Sequence, residues 1–155
     1  MTRSLIATIA VVTAFAAATA YAAVTPIPTG TWPPACHPRG KALRGDAEPN
    51  TIRGTAKSDL LVGGGGHDVL YGEGNHPGRR DCLFGQKGPD SLHGGRGYDL
   101  LMGGPWRDRL SSGRGGDFIR DTDGRNRILC GKGIDRVVTN AKSKVAANCE
   151  HVTIR

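Results

Sequence analysis

The chain has 155 residues with 24 Gly, 9 Pro and a formal net charge of +7, and aromatic residues make up only 5%. Gly stands at about twice its usual share of roughly 7% and is the costliest residue to order, so it recurs for a structural reason or part of the chain is unordered. The scarcity of aromatics excludes a large aromatic-lined pocket and a base-stacking platform.

The first predicted element is a targeting segment. Arg3 precedes an apolar run from Leu5 to Ala18, and Ala20-Tyr21-Ala22 has the small-x-small form of a cleavage site. Residues 1–22 therefore read as a signal peptide of a secreted, extracellular protein. The run is short for a bilayer of about 30 Å, and no transmembrane segment is expected after cleavage. Residues 23–53 carry Pro26, Pro28, Pro33, Pro34, Pro38 and Pro49, which predicts an extended N-terminal lead-in anchored by Cys36. Export places Cys36, Cys82, Cys130 and Cys149 where disulfides persist. Four cysteines allow three pairings; Cys36 with Cys82 and Cys130 with Cys149 is preferred, because it ties each flank to the region between them.

From residue 54 to 138 a nine-residue phase governs the chain. Asp59, Asp68, Asp81, Asp90, Asp99, Asp108, Asp117, Asn126 and Asp135 are nine apart except for one step of 13. Two residues after each stands Leu61, Leu70, Leu83, Leu92, Leu101, Leu110, Ile119, Ile128 or Val137, all aliphatic. The units read GTAKSDLLV, GGGGHDVLY, an insertion GEGN, then HPGRRDCLF, GQKGPDSLH, GGRGYDLLM, GGPWRDRLS, SGRGGDFIR, DTDGRNRIL and CGKGIDRVV. This phase resembles the glycine-rich nonapeptide GGxGxDxUx of the hemolysin-type calcium-binding (RTX) family.

The unit has its own physical logic. Gly-Gly-x-Gly-x-Asp curls the backbone tightly and aims carbonyls inward, and Asp adds carboxylate oxygen. Oxygens without fixed thiols or imidazoles suit a hard cation such as calcium. The following x-U-x is three residues of strand that bury only the middle side chain. The resemblance implies an all-β fold, a right-handed parallel β-roll (solenoid) of about nine degenerate repeats. Each coil would take two units, with calcium between stacked loops. Residues 139–155 leave the phase and form the expected C-terminal cap, Asn140 to Glu150 as a short helix or loop and His151 to Arg155 as a strand.

Candidate calcium ligands rank by how well each unit keeps the pattern. The best are Gly94, Gly95, Gly97 and Asp99, then Gly113, Gly115 and Asp117, then Gly131, Gly133 and Asp135, in the pairs Asp99 with Asp117 and Asp117 with Asp135. Asp108 faces Asn126 and is expected to bind weakly, and the insertion leaves the stacking of Asp68 with Asp90 open. Asp59 and Asp81 lie in units that have lost most glycines and read as capping turns. Opposed Asp columns repel without a cation, so folding is expected to be coupled to calcium.

Basic residues lie on other phases, with Arg96, Arg114 and Lys132 stacked on one edge, Arg107 over Arg125, and Arg109 over Arg127. They read as a solvated face, or as a surface for an anionic cell-surface polymer, with no specific nucleic acid. His37, His67, His76, His93 and His151 form no paired motif and no Gly-x-Ser-x-Gly turn is present, so no enzyme is expected. The reading is a secreted calcium-binding repeat protein with a structural or surface-binding role. The alternative is a disulfide-stabilised cationic module that binds anionic polymers without calcium.

Overall fold

The computed structural model describes residues 25–26, 36–74 and 78–155. The signal peptide over 1–22, residues 23–24 and 27–35 of the Pro-rich stretch, and His76 lie outside them. Among the described residues there are fourteen strands and no helix. They are β1 (Thr25–Pro26), β2 (Ala42–Arg44), β3 (Thr51–Arg53), β4 (Leu60–Gly64), β5 (Val69–Tyr71), β6 (Cys82–Gln86) and β7 (Ser91–Arg96), then β8 (Leu100–Met102), β9 (Arg109–Arg114), β10 (Phe118–Asp121), β11 (Arg127–Lys132), β12 (Arg136–Thr139), β13 (Lys144–Val145) and β14 (His151–Ile154).

The strands alternate between two sheets. One has the order β1-β2-β4-β6-β8-β10-β12-β14 and the other β13-β11-β9-β7-β5-β3, and every pairing but the antiparallel β1–β2 is parallel. The result is a parallel β-solenoid of about six turns, consistent with a β-roll.

The aliphatic phase explains this shape. In a three-residue strand the middle side chain points one way and its neighbours the other. In register across the first sheet stand Leu43, Leu61, Leu83, Leu101, Ile119, Val137 and Val152; across the second stand Ile52, Leu70, Leu92, Leu110, Ile128 and Val145. Apart from Val152, which is 40% exposed in the last strand, the two rows meet between the sheets as one core, and its members from Ile52 to Val137 are no more than 1% exposed.

Two expectations change. The coil does not begin at residue 54: β2 and β3 continue it upstream, with Lys41 and Asn50 at the sixth position and Leu43 and Ile52 at the eighth. Those units lack the Asp, which hid them, yet they keep the aliphatic residue that the core requires. The count of nine units is accordingly too low. In the tail, Asn140 to Glu150 takes the loop alternative, with turns flanking a short β13 that extends the six-stranded sheet, and the expected strand, β14, ends the eight-stranded one.

A second cluster lies outside the coil. Cys36, Leu60, Val62 and Cys82 are buried together with Ala42, Phe84 and Leu100 packed against them. These residues flank the core positions along β2, β4, β6 and β8, so they face away from the interior, and Cys36 helps to cover them. The disulfides are Cys36–Cys82, with Cα atoms 6.0 Å apart, and Cys130–Cys149, at 5.3 Å. The first holds the N-terminal segment against the sheet, and the second holds the tail against β11.

Because the core is a single row per sheet, truncating one member removes contacts no neighbour can replace. Leu101→Ala is expected to cost about 2–5 kcal/mol in chemical denaturation followed by circular dichroism. Leu129→Ala, on the outward face and 42% exposed, should stay within about 0.5 kcal/mol.

Candidate metal centre

The sixth residue of each unit stands just before its strand and is enclosed at the edge of the coil. Asp59, Asp68, Asp81, Asp90, Asp99, Asp108, Asp117, Asn126 and Asp135 are all buried. One side-chain oxygen of each is committed to the backbone. Along one edge, Asp59 Oδ1 accepts the Lys41 N–H, and Asp81, Asp99, Asp117 and Asp135 each accept the N–H of the equivalent residue one coil earlier, at 2.8–2.9 Å. Glu150 ends this column by accepting the Asp135 N–H at 2.9 Å. Along the other edge the same bond runs from Asn50 to Asp68, Asp68 to Asp90, Asp90 to Asp108 and Asp108 to Asn126, at 2.8–2.9 Å. Ser143 Oγ ends that column at 3.2 Å from the Asn126 nitrogen.

The second oxygen is what makes a site. Oδ2 of Asp68, Asp90, Asp99, Asp108, Asp117 and Asp135 is buried with no hydrogen-bond partner. The first glycine of a unit leaves room for it: a Cβ on Gly63, Gly85, Gly94 or Gly103 would strike Oδ2 of Asp68, Asp90, Asp99 or Asp108. An ionised carboxylate held this way loses hydration without gaining a counter-charge. Burial therefore pushes Asp90 and Asp99 up to about 7 and Asp108 and Asp117 to about 6, with Asp68 and Asp135 also raised. The backbone N–H bonds pull the other way, and carboxylates on neighbouring rungs add to the rise at Asp90, Asp99 and Asp117. Such groups are relieved by a proton or by a cation.

The loop glycines serve close stacking. Gly115 and Gly133 have φ of +133° and +137°, and a Cβ on either would collide with the carbonyl oxygen of Gly97 or Gly115 in the coil before. Gly113 and Gly131 sit against the carbonyls of Gly95 and Gly113 in the same way. The loops thus bring backbone carbonyls of successive coils close to the carboxylate columns. Among the described residues no three His, Cys, Asp or Glu side chains converge on one point. The donors are backbone carbonyls and single carboxylates, a set that fits a hard cation.

The weaker units differ. Asp59 has both oxygens engaged, since Thr55 donates its N–H to Oδ2 at 2.6 Å and its hydroxyl lies 3.0–3.1 Å from both oxygens. Asp81 accepts a second backbone bond from Gly74, and burial raises it to about 8. Asp68 and Asp90 do stack, because the inserted residues fall between β5 and β6 and leave the register of β5 with β7 intact. Trp106, in the fourth position, takes φ of +89° with its ring half exposed.

One residue escaped the sequence reading. Asp121 occupies the first position of its unit, where most units have Gly, and its buried Oδ2 is also without a partner. Burial first, then the charge of Asp108, raise it to about 8 against partly offsetting N–H groups of Gly104 and Asp123. An acidic side chain at a position reserved for glycine was the available signal.

The raised values fix the sign of a pH effect. The folded, cation-free chain binds protons that the unfolded chain has already released, so its stability falls as pH rises from about 4 to about 8. In chelator the strand signal left in circular dichroism is expected to be weaker at pH 8 than at pH 5; in millimolar calcium this decline should shrink or reverse, because the cation replaces the protons. Gly115→Ala, which places a methyl group on the Gly97 carbonyl and strains the backbone, should lower stability by about 1–3 kcal/mol.

A family model described as the RTX calcium-binding nonapeptide repeat (4 copies) matches residues 44–76, 79–105 and 107–137, more than half of the chain. No curated protein and no solved structure matches. The coil, its two carboxylate columns and this match place the chain in the RTX calcium-binding nonapeptide repeat family.

Proposed function

We propose that this is an exported protein whose coil folds as calcium reaches the unpartnered carboxylate oxygens, and whose role is structural or surface-binding rather than enzymatic. The observation that carries the reading is the pair of columns with a buried, unpartnered Oδ2 on successive rungs. Asp99, Asp117 and Asp135 would hold calcium along one edge, and Asp68, Asp90 and Asp108 along the other, with carbonyls of the glycine loops completing the shell. Bound calcium supplies the positive charge that lets neighbouring rungs stay ionised. Without it each added coil brings another desolvated carboxylate beside the last, which opposes winding. Family membership supports the cation, and two disulfides fit an oxidising compartment.

Circular dichroism of the oxidised protein tests this. Strand signal is expected in millimolar calcium and largely absent in excess chelator. Identical spectra would sink the coupling and favour a disulfide-held cationic module instead.

The outer face of the six-stranded sheet supports a partner for the surface-binding role. Arg109, Arg127 and Lys144 are in register on successive strands, and Arg107, Arg125 and Lys142 lie beside them along one groove. All six are exposed, and none makes an ion pair among the described residues. Rungs about 4.8 Å apart hold these like charges close together. An anionic cell-surface polymer would relieve that repulsion along the stack. Retention on a heparin column at low salt, weakened by Arg109→Gln with Arg127→Gln, is expected; no retention at low salt would remove the polymer from the reading.

A further inference from the structure

The edge that carries Asn126 has a substitute carboxylate. Asn126 faces the Asp108 N–H with its Oδ1 and turns its amide nitrogen to the Asp123 carbonyl, so it brings no negative charge to the rung. Asp121, five residues earlier in the same unit, reaches back to the coil before. Its Oδ2 lies 2.5 Å from the point where a Cβ on Gly103 would stand, and Asp108 Oδ2 is closer still to that point. The two oxygens are therefore within about 5 Å of each other, a separation that one cation with oxygen bonds of about 2.3–2.6 Å can bridge.

Both carboxyl groups are at least nine-tenths buried, and both Oδ2 atoms lack a hydrogen-bond partner. Among the described residues no Lys, Arg or His forms an ion pair with either. Two buried carboxylates brought this close without a counter-charge repel strongly. In the preceding coils of this edge the corresponding first positions are Gly85 and Gly103, which contribute no side-chain oxygen. Asp121 thus adds a charge beside Asn126, a sixth-position residue that carries none.

We propose that Asp108 and Asp121 together hold a hard divalent cation, calcium by preference, in a site that draws one carboxylate from the sixth position and the other from the first. The rung paired with Asn126 is then a full binding site rather than a weak one. This rests on the proposed calcium binding of the coil.

Calcium titration of the full-length, oxidised protein by calorimetry tests it, with terbium luminescence as a second readout. Asp121→Asn is expected to lower the number of bound ions by one, or to weaken one site at least tenfold, and leave the others as they were. Asp123→Asn, an exposed change of the same charge two residues away, should bind like the unaltered protein. If Asp121→Asn does not fold, Asp121→Gly restores the residue found at this position in the coils before it and should show the same loss. Unchanged stoichiometry and affinities in a folded Asp121 variant would overturn the site, as expected if the two carboxyls merely shared a proton. Absence of calcium binding by the unaltered protein would overturn the proposed function along with it.

Discussion

One hydrogen bond, repeated along both edges, organises this molecule. A backbone N–H just before each strand is donated to a carboxylate or amide oxygen of the residue in the same position one coil later. The bond links residues 18 apart, or 22 where the insertion intervenes, so it sets the pitch of the coil independently of what the loops contain. It satisfies a buried donor that a bending chain would otherwise leave stranded. It also buries a carboxylate, and only one of its oxygens is used.

That asymmetry connects structure to function. A ladder of neutral side chains would have satisfied the same N–H groups, as Asn126 and Ser143 show on one edge. Carboxylates do so while leaving a second oxygen buried, raised in proton affinity and without a partner. The fold therefore contains, rung after rung, a demand for positive charge that the protein itself does not meet. Where the demand is met internally, as by Thr55 at Asp59, the unit has also lost most glycines of a binding loop. The ends of the coil follow the same economy: Glu150 and Ser143 receive the last N–H groups, and each disulfide pins a flank near one end.

Much of this was legible in the chain because the coil is nearly one-dimensional. Two residues per unit, an Asp and an aliphatic two positions later, recur at a fixed spacing, and a strand of three residues leaves the second of them no direction but inward. The period, the identity of the core, the carboxylate columns and the preferred disulfides were all readable from it. The upstream units at Cys36 and Gly45 were not, because Lys41 and Asn50 had replaced the marker residue while Leu43 and Ile52 kept the structural one.

Tertiary structure alone decided what each carboxylate does with its two oxygens, and that Asp121 faces Asp108 across Gly103. It also decided that Leu60, Val62 and Cys82 are buried on the outer face beneath Cys36. Periodicity specifies which residues share a face, since that depends only on local backbone geometry. Which atoms of successive coils come within bonding distance depends on how the loops stack and on where an insertion is absorbed, and that is settled only when residues far apart in the chain lie one above another.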